Sequence, residues 1–121
     1  MENLHSFGTV VNVLRKRAVI HPGLLAIQFL GDGDNVTASF TYGELDVAIR
    51  SMAARLQEQT IPGDRVILML DTSPEYVVSF FACLYAGLIA VPAYAPMKTQ
   101  PQALQRLAGM LEDADASLVL I

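Results

Sequence analysis

Pro62-Gly63-Asp64-Arg65-Val66-Ile67-Leu68-Met69-Leu70-Asp71-Thr72-Ser73-Pro74-Glu75 is the stretch whose reading decides the fold. A Pro-Gly pair punctuates the chain, Val66 to Leu70 are uninterrupted aliphatic residues, and small polar residues close the run. A continuous apolar run of this length fits a strand buried on both faces, the place of a central strand in a parallel sheet. Immediately downstream, Ser73 before Pro74 and Glu75 reads as a helix start. Gly87 reads as the stop of that helix, and Leu88 to Val91 as a second short strand closed by Pro92. Strand, helix and strand therefore follow one another without a long connection.

The same region carries no formal charge from Tyr76 to Met97, long enough for a membrane span if read by hydropathy alone. The helix start, the glycine stop and the proline-closed β-prone run divide it into a buried helix and a buried strand instead. Downstream, Leu104, Leu107, Ala108 and Leu111 share one helical face, which predicts a helix from about Pro101 to Ala114 and a third strand at Leu118 to Ile121.

Upstream, Thr41-Tyr42-Gly43-Glu44 has the spacing of a capping box, in which Thr41 serves the amide of Glu44 and Glu44 reaches back to that of Thr41. The helix it opens shows Leu45, Ala48, Ile49, Met52, Ala53 and Leu56 on one face, the clearest helical periodicity in the chain. Before it, Leu25 to Leu30 and Val36 to Phe40 read as antiparallel strands reversed at Gly31-Asp32-Gly33-Asp34-Asn35. That loop is not a phosphate cradle, because no helix follows it directly and its two aspartates repel phosphate. A first helix is predicted from the stripe Phe7, Val10, Val11, Leu14 and Ala18, ending near His21-Pro22-Gly23. The fold class is α/β: an N-terminal helix and β-hairpin, then a β-α-β-α-β half of a doubly wound, mostly parallel sheet.

Composition narrows the function classes. The chain has 121 residues, 53% of them hydrophobic and 17% charged, which fits one core-rich domain and neither two domains nor a disordered segment. Eight Lys+Arg against twelve Asp+Glu give a net charge of −4, unfavourable for binding nucleic acid or an anionic membrane by charge. Arg15-Lys16-Arg17 is too short for a basic stripe and reads as a solvated helix face. Cys83, the single cysteine, has apolar neighbours and reads as a small packed hydrophobe in a reducing, cytoplasmic setting. His5 and His21 stand far from it, so neither a Cys/His nucleophile nor a zinc cluster is formed. No signal peptide is recognisable at Met1 to His5.

In order and spacing, Thr41-Tyr42-Gly43-Glu44-Leu45, Gly63-Asp64-Arg65-Val66, Ser73-Pro74-Glu75-Tyr76 and Leu84-Tyr85-Ala86-Gly87-Leu88-Ile89-Ala90-Val91-Pro92 resemble the start of the adenylate-forming enzymes. Phe80 to Gly87 followed by Val91-Pro92-Ala93-Tyr94-Ala95-Pro96 is most similar to the fatty acyl-AMP ligases of polyketide and lipopeptide assembly, although relatives usually carry proline where Ala95 stands. The resemblance runs from about Leu4 to Ile121. It implies a parent enzyme that joins a fatty acid to ATP, with Mg2+, giving acyl-AMP and pyrophosphate. The acyl group then passes to an acyl carrier protein thiol or to coenzyme A.

The family's phosphate loop, its catalytic lysine on a C-terminal domain and its ribose-holding acidic residue have no counterpart here. Lys16 and Lys98, the only lysines, match no catalytic position. The expected catalytic, cofactor-binding and metal residues are therefore none, and no ATP or Mg2+ is expected on this chain by itself. What the resemblance assigns is scaffold: Tyr42, Glu44 and Leu45 open a core helix, Gly87 ends another, and Pro92 closes the second parallel strand. Tyr85 and Tyr94 are the aromatics nearest to where a substrate would approach, yet buried tyrosines commonly just find a hydrogen-bond partner.

Because ligands of open α/β sheets bind beyond the carboxyl ends of the strands, residues 1–121 are expected to be an incomplete N-terminal AMP-binding domain, cut after the third parallel strand. Its expected partners are the remainder of the same polypeptide, the fatty acid and the carrier protein. The alternative is a free-standing α/β binding or scaffolding module without catalysis, self-associating through an exposed sheet edge.

Overall fold

The computed structural model describes residues 6–93 and 115–121, with single positions at 105, 109 and 112. Helix α1 (Ser6–Ile20) leads into strands β1 (Leu25–Leu30) and β2 (Val36–Thr41), then helix α2 (Tyr42–Gln57), strand β3 (Arg65–Leu68), helix α3 (Pro74–Tyr85), and strands β4 (Ile89–Pro92) and β5 (Ala116–Leu120). The helix expected over Pro101–Ala114 lies, single positions apart, outside the described residues.

Two sheets form. β1 and β2 pair antiparallel, and the reversal between them is a single turn of 3-10 helix at Asp32–Asp34, with Gly33 and Asp34 both at φ 66°. Gly31 N–H closes it on Asn35 O at 2.7 Å. The second sheet is parallel, in the order β4-β3-β5, so the apolar run that begins at Val66 does take the central place. Val66, Ile67 and Leu68 are fully enclosed and Met69 nearly so. Val66 and Leu68 belong to the cluster with α2 and α3, whereas Ile67 alternates to the other face and is equally enclosed.

The core face of α2 is the expected one, with Leu45, Ile49, Ala53 and Leu56 buried against Ala82, Cys83, Ala86 and Leu88. From α1, Leu14 joins this cluster, while Val10 is partly exposed. Within α3, Phe80 and Phe81 meet edge to face at 5.5 Å, an aromatic geometry that adds to their packing.

Strand boundaries differ from the sequence reading by one or two residues, for identifiable reasons. Leu88, expected to begin β4, is taken by the stop of α3: Leu88 N–H donates to Cys83 O at 2.8 Å and Gly87 N–H to Leu84 O at 3.2 Å, the paired bonds of a Schellman motif. Gly87 stands at φ 77°, where a side chain would be strained. β3 stops at Leu68 rather than Leu70 because its neighbours β4 and β5 end level with it, at Pro92 and Leu120.

The entry to α2 satisfies its first backbone donors one by one. Tyr42 N–H donates to Leu24 O at 2.9 Å, Gly43 N–H to Pro22 O at 3.0 Å and Glu44 N–H to Thr41 Oγ1 at 3.1 Å, while Thr41 N–H donates to Glu44 Oε1 at 2.9 Å. A Cβ on Gly43 would sit 3.1 Å from Pro22 O, so the glycine of this motif permits close approach of the turn after α1.

Candidate functional site

Strand order fixes where a ligand crevice belongs. From β3 the chain steps to β4 on one side and then to β5 on the other, and the carboxyl ends of strands around such a reversal are the ligand-binding edge of open α/β sheets. Leu68 pairs with Pro92 and with Leu120, so the three ends lie level. One further bond on each side, Ala93 N–H to Leu68 O at 2.9 Å and Met69 N–H to Leu120 O at 2.8 Å, carries the ladder to its rim.

Beyond that rim stand Asp71, Thr72 and Ser73, leading into the N-terminus of α3. Ser73 Oγ accepts from Tyr76 N–H at 3.2 Å and donates to Asp71 O at 2.9 Å, so the helix end supplies its own cap. Glu75 occupies the first turn and Asp71 the loop before it. Two carboxylates beside a self-capped helix end repel a triphosphate, and the described segments that follow the strands, residues 69–75, 93 and 121, include no lysine or arginine. Nor do the described residues gather three His, Cys, Asp or Glu side chains for a metal ion. The described residues of this rim do not by themselves make a site for ATP and Mg2+.

The polar side chains that do converge lie at the opposite edge. Helix α3 runs back from the carboxyl rim, so its last residue, Tyr85, reaches the amino end, where Ile89 N–H donates to Asp64 O at 2.8 Å and Gly63 N–H to Gly87 O at 2.9 Å. There Tyr85 Oη donates to Asp46 Oδ1 at 2.9 Å and Arg50 Nε to Asp46 Oδ2 at 2.9 Å. Burial first, and then the hydrogen bond and charge of Asp46, push the Tyr85 phenol well above its ordinary range. This is a structural tie between α2 and α3, and it places Tyr85 away from the ligand edge. Tyr94 lies outside the described residues.

Cys83 is fully buried and burial pushes its thiol up to about 11, leaving no reactive thiolate. His21 is exposed at the end of α1. No helix among the described residues is long and apolar enough to cross a membrane. The sequence reading missed two partnerships, Gly43 with Pro22 and Tyr85 with Asp46, since both join residues distant along the chain.

A parallel sheet with reversed strand order and level carboxyl ends defines an open α/β domain of the doubly wound class. The chain belongs to the AMP-binding enzyme family, which matches residues 14–121. It is 35% identical over 115 residues to the medium-chain-fatty-acid–[acyl-carrier-protein] ligase JamA of Moorena producens, covering 94% of this chain and 19% of that protein. It is also 35% identical to the long-chain-fatty-acid–AMP ligase FadD32 of Mycolicibacterium smegmatis, over 93% of this chain and 18% of the other.

Among solved structures, the fatty acid AMP ligase of Legionella pneumophila superposes with a TM-score of 0.80 at 31% identity, over 98% of this chain and 21% of that one. The chain thus spans about a fifth of the length of the curated relatives it matches. The sequence resemblance to fatty acyl-AMP ligases and the α/β fold it implied both stand.

Proposed function

We propose that these residues form the scaffold part of the N-terminal, adenylate-forming domain of a fatty acyl-AMP ligase. The parent reaction joins a fatty acid carboxylate to AMP from ATP with Mg2+, releases pyrophosphate, and passes the acyl group to a carrier-protein thiol or coenzyme A. The supporting observation is that the chain superposes on the Legionella fatty acid AMP ligase with a TM-score of 0.80 over 98% of its length. Within this reading β3 with α2 and α3 hold the sheet whose rim receives ligand, and the groups that handle phosphate come from outside residues 1–121. A cytoplasmic place in polyketide-type assembly belongs to the same reading, supported by the resemblance and by the single buried thiol.

Grafting tests it. Residues 1–121 replacing the matching segment of the JamA ligase are expected to retain fatty-acid-dependent ATP–pyrophosphate exchange. A folded, soluble chimaera without exchange overturns the assignment. The 121-residue chain alone is expected to show none, and detectable exchange refutes the scaffold-only role.

A further inference from the structure

The turn between β1 and β2 points to a chemical modification site. Asp32 is the only Asp or Asn in the chain that precedes a glycine. Both Asp32 and Gly33 are exposed, and a Cβ built on Gly33 meets nothing within 4 Å, so no side chain or neighbouring backbone crowds the Gly33 Cα that follows the Asp32 carboxyl. The turn engages Asp32 through its backbone, Asn35 Nδ2 donating to Asp32 O at 3.0 Å, while the Asp32 carboxyl has no hydrogen bond or ion pair among the described residues.

We propose that Asp32 converts spontaneously to isoaspartate in the folded chain. The Gly33 nitrogen attacks Asp32 Cγ, a C–N bond forms, the Cγ–O bond breaks and water leaves, giving a succinimide. Water then opens the ring at either carbonyl; opening at the main-chain side routes the backbone through Cβ and Cγ with no net change in mass. The step needs no oxidant and no partner, only water, and its product carries a free α-carboxylate, the group that isoaspartyl methyltransferases esterify.

The added backbone carbon falls inside the loop closed by Gly31 N–H and Asn35 O at 2.7 Å. Gly31 has no room to yield toward β2, because a Cβ there would lie 2.7 Å from Thr37 Cγ2. The modified turn therefore loses that closing bond and the Leu30–Val36 pairing beside it.

The test incubates the native 121-residue chain for weeks at neutral pH and physiological temperature, then labels it with an isoaspartyl methyltransferase and S-adenosylmethionine and maps the peptides. One methyl ester is expected per modified chain, on the peptide containing Asp32, with loss of the signal in Asp32→Glu and its retention in Asp34→Glu. Label absent from that peptide, undiminished in Asp32→Glu, or appearing only in urea-unfolded chain overturns the proposal.

Discussion

Tyr85 at the end of α3 and Asp46 in the second turn of α2 are joined across 2.9 Å, 39 residues apart in the chain, and the second oxygen of Asp46 is held by Arg50 at the same distance. A carboxylate with both oxygens engaged fixes the rotation of one helix against the other, which the apolar contacts between α2 and α3 do not by themselves specify. The tie sits at the amino end of the sheet, away from the carboxyl rim.

Tyr85→Phe removes the donor and keeps the ring. Hydrogen bonds to charged groups contribute about 1.5–3 kcal/mol, and partial exposure lowers this one to about 1–2 kcal/mol. Urea unfolding of the chain measures the loss, and an unchanged midpoint refutes the tie. Asp46→Ala is expected to cost more, since it also strands the Tyr85 hydroxyl; with Tyr85→Phe in place, that excess disappears.

Thr41→Ala leaves the Glu44 amide without its cap and is expected to destabilise by about 1 kcal/mol, with Thr41→Ser recovering most of it. Because Glu44 answers Thr41 reciprocally, the losses in Thr41→Ala and Glu44→Ala are expected to be non-additive in a double-mutant cycle. Strict additivity would mean the two hydrogen bonds act independently.

Both effects bear on what was legible in the sequence. The capping box, the face of α2, the central strand and the glycine stop were readable because each is written in residues within a few positions of one another. Leu88 reads in sequence as the start of β4 but belongs to the helix stop, because its amide donates to Cys83 O, a contest local patterns do not settle. Tyr85 was readable as a buried aromatic but not as the partner of Asp46, since that pairing exists only once α2 and α3 have packed. The carboxyl rim, its acidic Asp71 and Glu75 and the Ser73 cap are legible in the sequence; that the Ser73 hydroxyl also donates to Asp71 O is not.

Gly87→Ala tests the Schellman stop. At φ 77° a Cβ meets the following carbonyl, a strain of about 1–2 kcal/mol, and space is not the cause, since the nearest atom to that Cβ is Pro62 Cβ at 4.0 Å. Gly87→Asn is expected to cost less, because asparagine tolerates the left-handed region better than alanine. Equal losses from the two substitutions would point to packing rather than backbone strain.

Cys83 predicts the alkaline limit of stability. Its thiol is raised from 9.0 to about 11 by burial, so the folded state holds its proton more tightly than the unfolded state does. The stabilisation this gives is complete below pH 9 and is lost as pH rises toward 11, amounting to about 2–3 kcal/mol at a little over 1.3 kcal/mol per unit. Tyr85, raised in the same direction, adds its own loss above its ordinary value of 10.0. Urea midpoints measured from pH 8 to 11 are therefore expected to fall steeply. Cys83→Ala is expected to start lower at pH 8, from the lost sulfur contacts, and to fall less steeply between pH 9 and 10, where Cys83 acts before Tyr85. The native thiol is expected to resist an alkylating reagent at pH 8 and to react on unfolding. A Cys83→Ala slope equal to that of the parent chain, or prompt alkylation of the folded protein, would contradict the buried, protonated thiol.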